Sequence, residues 1–285
     1  MMFILAVLLI YGGMHGYVYL VLTHAYPLPL EWRAALGAWL ALMVAAPFLA
    51  HLFDRPRTRG VARLAARLGY TWMGLLFLFV CWHLAVALGL AALRVLGIAS
   101  GWTMPGALDS ARAGIAIAAT ATLLCAVYGL VEAWCPRVRR VLLSTAKLSA
   151  NPGRIRIVQI SDVHVGLMSS AYRIRRLVRQ LNTLAPDILV STGDLVDSAA
   201  DGLAPFADQL AQASARLGKF AVIGNHECYG GLEAALSFTR RAGFTVLRGT
   251  AVTVAGLIEV TGVDDPAASP PDEDEERAQS FPIQR

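Results

Sequence analysis

The chain has 285 residues, long enough for two domains of ordinary size. Its mean hydropathy of +0.54 and 56% hydrophobic content exclude a soluble protein of average composition. Up to Ser149 there are 12 Lys+Arg against 4 Asp+Glu, a net of +8; from Ala150 onward there are 13 against 16, a net of −3. The pI of 9.2 therefore arises in the first part, and no nucleic-acid partner is expected from it.

Four apolar stretches are long enough to cross a bilayer: Met2 to Leu22, Ala34 to Phe53, Tyr70 to Leu90 and Ala113 to Trp134. The first lacks a basic start and three more follow it, so it reads as an anchor rather than a signal peptide. Arg55, Arg57, Arg59, Arg63 and Arg67 lie between the second and third spans, and Arg137, Arg139, Arg140 and Lys147 follow the fourth. The other two loops hold few charges: Glu31 and Arg33 in one, Arg94, Asp109 and Arg112 in the other. The basic loops belong on the cytoplasmic side, which puts the amino terminus and the C-terminal part inside. His15, His51 and His83 lie within spans and His24 near a span end, yet only Glu132 is acidic there. Satisfied or interfacial histidines are the expectation. Gly12 and Gly16 form a small-xxx-small pair compatible with a dimer contact through the transmembrane helices. Arg137 to Lys147, with Val138, Val141, Leu142 and Leu143 interleaved, reads equally as a linker or as a strip along an anionic membrane. Cys81, Cys125, Cys135 and Cys228 show neither metal-type spacing nor a disulfide framework.

From Arg154 the pattern changes to alternating strands and helices. Strands are expected at Arg154 to Ile160, Asp187 to Ser191, Lys219 to Ile223 and Phe244 to Leu247. Helices are expected at Ser169 to Leu184, Leu203 to Leu217 and Gly231 to Ala242. A hairpin is expected from Val252–Val254 and Leu257–Thr261 around Ala255-Gly256. Such alternation predicts a parallel sheet with crossover helices, whose chemistry lies beyond the carboxyl ends of the strands.

Three polar segments follow three of these strands: Asp162-Val-His164, Gly193-Asp194-Leu-Val-Asp197 and Gly224-Asn225-His226-Glu227. Asp, His and Asn gathered there offer a hard oxygen and nitrogen site for divalent cations. Asp162 and His164 are two residues apart and can reach one cation; Asp194 has two oxygens and can bridge two. The segment Arg154 to Pro266 resembles the calcineurin-like metallophosphoesterase superfamily through these motifs in this order, and Gly262-Val263-Asp264-Asp265-Pro266 resembles a bacterial membrane-anchored branch of it.

The resemblance implies an α/β/β/α sandwich and two divalent cations, Mn, Fe or Zn. Asp162 and His164 would hold the first metal, Asp194 would bridge, Asn225 would bind the second, and His226 would assist the leaving group. Asp197 and Glu227 would stand behind them. The reaction implied is hydrolysis of a phosphomonoester or phosphodiester by hydroxide activated between the metals. The family completes its site with later histidines, and here no histidine follows His226. Only about the first half of the fold is therefore expected, with the covering sheet absent, apolar surface exposed, and a C-terminally incomplete reading frame. The chain then divides into a four-helix transmembrane domain (1–136), a basic juxtamembrane linker (137–153) and a truncated phosphoesterase domain (154–285). Membrane lipid and a phosphate-ester substrate, plausibly lipid-linked from location alone, are the expected partners. The rival expectation is a non-catalytic membrane protein carrying a vestigial or partner-binding phosphoesterase-like domain.

Overall fold

The structure is a computed structural model that describes residues 2–55, 57–101, 105–106, 110–148, 153–197 and 202–266. Asp109, the acidic stretch Asp272–Glu276, the tail Ser280–Arg285 and residues 149–152 of the expected linker lie outside the described residues. The chain forms two compact units, Met1–Arg139 and Arg140–Arg285.

The first unit holds four helices: α1 (Met2–Ala25), α2 (Leu30–Leu52), α3 (Arg59–Ser100) and α4 (Ala111–Trp134). All four are long and apolar enough to cross a membrane. At about 1.5 Å per residue, the 42 residues of α3 run about 63 Å, roughly twice a hydrocarbon core. Within it, residues 68–93 carry no charged side chain, so Arg67 and Arg94 bracket the apolar run.

Small residues set the closest helix packing. Ala46 and Ala50 of α2 and Ala62 and Ala66 of α3 are buried. A Cβ on Gly69 would come within 2.9 Å of the Ala46 Cβ and 3.1 Å of the Pro47 N. Lipid supplies no hydrophobic drive between helices, so close backbone approach of this kind is what holds them. Gly12 and Gly16 do not take part: a Cβ on either meets nothing within 4 Å.

Polar groups in this unit pin α1 to its neighbours. Tyr11 Oη donates to the Met43 carbonyl at 3.2 Å. His15 Nδ1 is 2.7 Å from the Tyr11 carbonyl, and Trp72 Nε1 donates to His15 Nε2 at 3.0 Å. One ring nitrogen must donate and the other accept, so these partners call for a neutral His15 with its proton on Nδ1. His83 Nδ1 lies 2.6 Å from Tyr17 Oη.

The second unit is α/β. A four-stranded parallel sheet runs in the order β1 (Ile157–Ile160), β2 (Ile188–Ser191), β3 (Gly218–Ala221), β4 (Thr245–Val246). The crossovers carry α5 (Ala171–Leu184), α6 (Ala204–Ala211), then α7 (Asn225–Gly230) and α8 (Leu232–Arg241). Each strand lies beside the next in sequence. Right-handed crossovers repeated in one direction place their helices on one face. Accordingly Ile160, Leu189 and Ala221 pack with Ile174 and Val178 of α5, Leu210 of α6 and Phe238 of α8.

The opposite face is partly covered, which corrects the expectation that its cover would be absent. β5 (Thr250–Val254) and β6 (Ile258–Gly262) pair antiparallel. Val254, Val252, Ile258 and Val260 pack with Ile188, Phe220 and Leu247. The hairpin turns at Ala255 and Gly256, at φ +51° and +67°, the left-handed region that tight hairpins require. Among the described residues, the β1 edge of this face is open, with Ile157 50% exposed.

In this unit α6 and α7 depart from expectation for identifiable reasons. α6 stops at Ala211 rather than reaching Leu217. The Asn182 side chain accepts from Ser214 N at 2.8 Å and donates to the Gln212 carbonyl at 3.0 Å, so non-helical backbone is satisfied there. The segment Asn225–Gly230, outside the expected helices, is the short helix α7. Its third residue, Glu227, reaches back to the Gly224 N–H at 3.0 Å, as an N-terminal capping carboxylate does.

Candidate metal centre

The loops after β1, β2 and β3 are joined before any metal is considered. Asp162 N donates to the Gly193 carbonyl, His164 N to the Asp194 carbonyl at 3.0 Å, and Val165 N to the Leu195 carbonyl at 2.9 Å. Asp197 N returns a bond to the Val165 carbonyl at 3.1 Å. The first two loops therefore continue the β1–β2 ladder beyond the sheet.

The second and third loops meet through glycines. A Cβ on Gly193 would lie 2.9 Å from both the Cα and N of Gly224. A Cβ on Gly224 would collide with the Asp194 carboxylate. Gly193 also sits at φ +103°, which side chains resist.

Glu227 fastens this junction. It is 1% exposed, and its carboxylate accepts four backbone N–H groups. Oε2 takes Asp194 N and Gly224 N, each at 3.0 Å; Oε1 takes Leu195 N at 2.6 Å and Val196 N at 3.1 Å. A buried carboxylate is costly unless paired or fully hydrogen-bonded, and this one is fully bonded. One side chain thus fixes the loops that carry Asp194 and Asn225.

Asp162, His164 and Asp194 all adopt left-handed φ, at +54°, +49° and +53°. Non-glycine residues rarely do so, and such strain collects at functional sites. The result is convergence. One ligand atom each from Asp162, His164 and Asp194 lie within 4.8 Å of one another, and so do those from His164, Asp197 and His226. His164 Nε2 is 3.8 Å from Asp162 Oδ1 and 3.9 Å from Asp194 Oδ2. These are separations that a cation seated between the groups would occupy. The mixture of carboxylate oxygen and imidazole nitrogen fits a divalent ion.

Asp197 lies beside both imidazoles. Its Oδ1 is 2.6 Å from His226 Nδ1 and 3.4 Å from His164 Nδ1. The two imidazoles meet edge to face at 4.6 Å. They are the only histidines after residue 150 in the sequence. His226 N also donates to Asp194 Oδ1 at 3.2 Å. Asn225 is half-buried at the start of α7, next to the Gly224–Asp194 junction.

Three features escaped the sequence reading. Ser161 Oγ donates to Asp162 Oδ2 at 2.5 Å, orienting that carboxylate. Tyr229 stands 75% exposed with its ring centroid 6.2 Å from that of His226. Arg248 pairs with buried Asp264, which accepts from Ile223 N, while Asp265 N donates to the Ile223 carbonyl at 2.9 Å. The 262–266 segment thereby braces the end of β3 just before Gly224. Nothing in local sequence links Arg248 to Asp264; only the fold brings them together.

The family model for calcineurin-like phosphoesterases matches residues 155–269. An "Uncharacterized metallophosphoesterase" of Aquifex aeolicus is 41% identical over 143 residues, covering 50% of this chain and 54% of that protein. A "Transmembrane protein with metallophosphoesterase domain" of Bos taurus is 32% identical over 203 residues, 70% of this chain and 44% of the relative. The "UDP-2,3-diacylglucosamine pyrophosphatase LpxG" of Chlamydia trachomatis is 33% identical over 124 residues, 40% of this chain and 37% of the relative. The chain thus spans about half or less of the length of these relatives. No solved structure gives a significant match. Four membrane-length apolar helices, together with relatives named transmembrane proteins, make this a membrane protein. Through its C-terminal unit the chain belongs to the calcineurin-like metallophosphoesterase superfamily.

Proposed function

We propose that this chain is a membrane-anchored phosphoesterase that uses two divalent cations, Mn, Fe or Zn, to hydrolyse a phosphomonoester or phosphodiester. The observation that carries this reading is the convergence of Asp162, His164 and Asp194 at the ends of neighbouring strands. Asp162 and His164 would hold one cation, Asp194 would serve both, and Asn225 would hold the second. When bound, paired cations acidify water and neutralise the charge of a phosphoryl group. The chain's own residues do the rest. Asp197 accepts a hydrogen bond from His226 Nδ1–H, which turns Nε2 away from Asp197; in its doubly protonated form His226 would pass the Nε2 proton to the leaving oxygen while keeping the one on Nδ1. Glu227 acts only on backbone, keeping the two ligand loops in register.

We place the working boundaries at 1–136 for the transmembrane domain, 137–153 for the linker and 154–285 for the phosphoesterase domain. The basic loops put the amino terminus and the C-terminal unit on the cytoplasmic side of a bacterial inner membrane. A lipid-linked phosphate is the favoured substrate class. Its support is the membrane anchor and the likeness to a protein named for a diacylated sugar nucleotide. The open Gly12–Gly16 face offers a dimer contact between α1 helices.

The test is hydrolysis of bis(p-nitrophenyl) phosphate by the purified chain in detergent with added Mn²⁺. Turnover should require the metal and fall to background in Asp194→Asn. A folded wild-type chain that turns nothing over would refute the enzymatic reading for this chain. It would instead favour a non-catalytic membrane protein with a partner-binding domain.

A further inference from the structure

The segment that follows α4 lies outside the regular elements of both units. Residues 136–145 carry no regular secondary structure. Val141, Leu142 and Leu143 are 80%, 83% and 84% exposed. Among the described residues, no protein covers these three consecutive large apolar side chains. Arg137, Arg139 and Arg140 stand immediately before them, all exposed. Arg137 also lies 3.1 Å from Glu132 in the last turns of α4.

The position of this strip decides what covers it. α4 is a membrane-length helix that ends at Trp134, and tryptophan at a span end marks the interface. Val141 lies seven residues later. Even fully extended, that chain reaches only about 25 Å, so the strip begins in or next to the headgroup region. Arginines before an apolar triplet match that region in both chemistries: guanidinium to lipid phosphate, and apolar side chains to the upper acyl chains.

We propose that Arg137–Leu143 is an interfacial anchor that lies on the membrane surface and prefers anionic lipid. A free soluble linker would expose three large hydrophobes to water for no return, and such exposed clusters mark interaction sites. Long basic side chains beside them complete the interfacial pattern. The anchor is independent of the phosphoesterase reading, because it uses no residue of the metal centre.

The full chain tests this directly. Cys81, Cys125, Cys135 and Cys228 are replaced by alanine, Leu142→Cys is labelled with bimane, and the protein is reconstituted into vesicles. In phosphatidylglycerol-containing vesicles, nitroxide-bearing lipid should quench the label and aqueous iodide should not. In phosphatidylcholine alone the order should reverse. Arg139→Gln with Arg140→Gln should shift the ratio of lipid to iodide quenching roughly 30-fold towards iodide in the anionic vesicles, since each basic residue at the surface contributes on the order of 1 kcal/mol. Equal iodide quenching in both vesicle types overturns the proposal. Lipid quenching that ignores both the lipid charge and the two arginines overturns its anionic preference. A control label at Ile157→Cys, on the open β1 edge, reports that the unit is folded in every sample.

Discussion

Glu227 ties together the loops that carry Asp194 and Asn225, and Asp197 hydrogen-bonds to His226. They can be separated experimentally. Glu227→Gln keeps the shape but turns two of its four N–H contacts from acceptance to repulsion. It should destabilise the C-terminal unit by about 2–4 kcal/mol, seen as a lower unfolding midpoint, with metal binding lost as well. Asp197→Asn leaves the backbone junction intact. It should lower kcat roughly 100-fold, with KM and the unfolding midpoint little changed. If Asp197→Asn unfolds the unit instead, its role is structural and the assignment of His226 to the leaving group loses its support. Gly224→Ala is a third case: its methyl group would strike the Asp194 carboxylate, so metal binding should fail although neither ligand has changed.

The three motifs were legible at this scale because each is a short polar interruption after an apolar run. Their mutual geometry was not. The left-handed φ of Asp162, His164 and Asp194 opposes local preference and is imposed by the ladder bonds between loops. The contact of Asp197 with both imidazoles depends on strand register, which no spacing within one motif records.

At the scale of elements, the parallel sheet was legible from alternating apolar runs and amphipathic segments. The ends of elements were decided by partners distant in sequence: Asn182 for the stop of α6, Glu227 for the start of α7. Asp187 is a similar tie between β2 and its surroundings. It accepts Arg156 N at 2.8 Å and Arg216 Nε at 2.7 Å. The backbone bond from Arg156, then the Arg216 guanidinium, hold its carboxyl below the ordinary 3.8. A carboxyl depressed by folding stabilises the fold above its unfolded pKa, and that contribution is lost as pH falls through the folded pKa. Asp187→Asn should therefore cost about 1–2 kcal/mol at neutral pH. Denaturation curves should show this gap to wild type closing as the pH drops below the usual carboxylate range. A gap that stays constant with pH would mean that the ion pair contributes nothing beyond its shape.

For the whole molecule, composition alone separated a basic, apolar first part from a slightly acidic second part. The division into compact units falls at Arg139 and Arg140, inside the basic segment. The length of α3 was not legible, because its amphipathic first turns, Arg59 to Arg67, look like loop until Ala62 and Ala66 are seen buried. Orientation is the main claim at this scale. Cys135 is exposed just past α4. In a variant that keeps only this cysteine, a membrane-impermeant maleimide should label spheroplasts only after lysis. Labelling of intact spheroplasts would reverse the topology and put the metal centre outside.

The most direct measurement of the account is Mn²⁺ binding to the purified full chain, followed by electron paramagnetic resonance, in wild type and Asp194→Asn. The account predicts loss of the free Mn²⁺ signal on titration into wild type, and retention of that signal in the variant at an unchanged unfolding midpoint. Equal binding by both proteins, or none by a folded wild type, would contradict the claim that Asp162, His164 and Asp194 form a metal cradle.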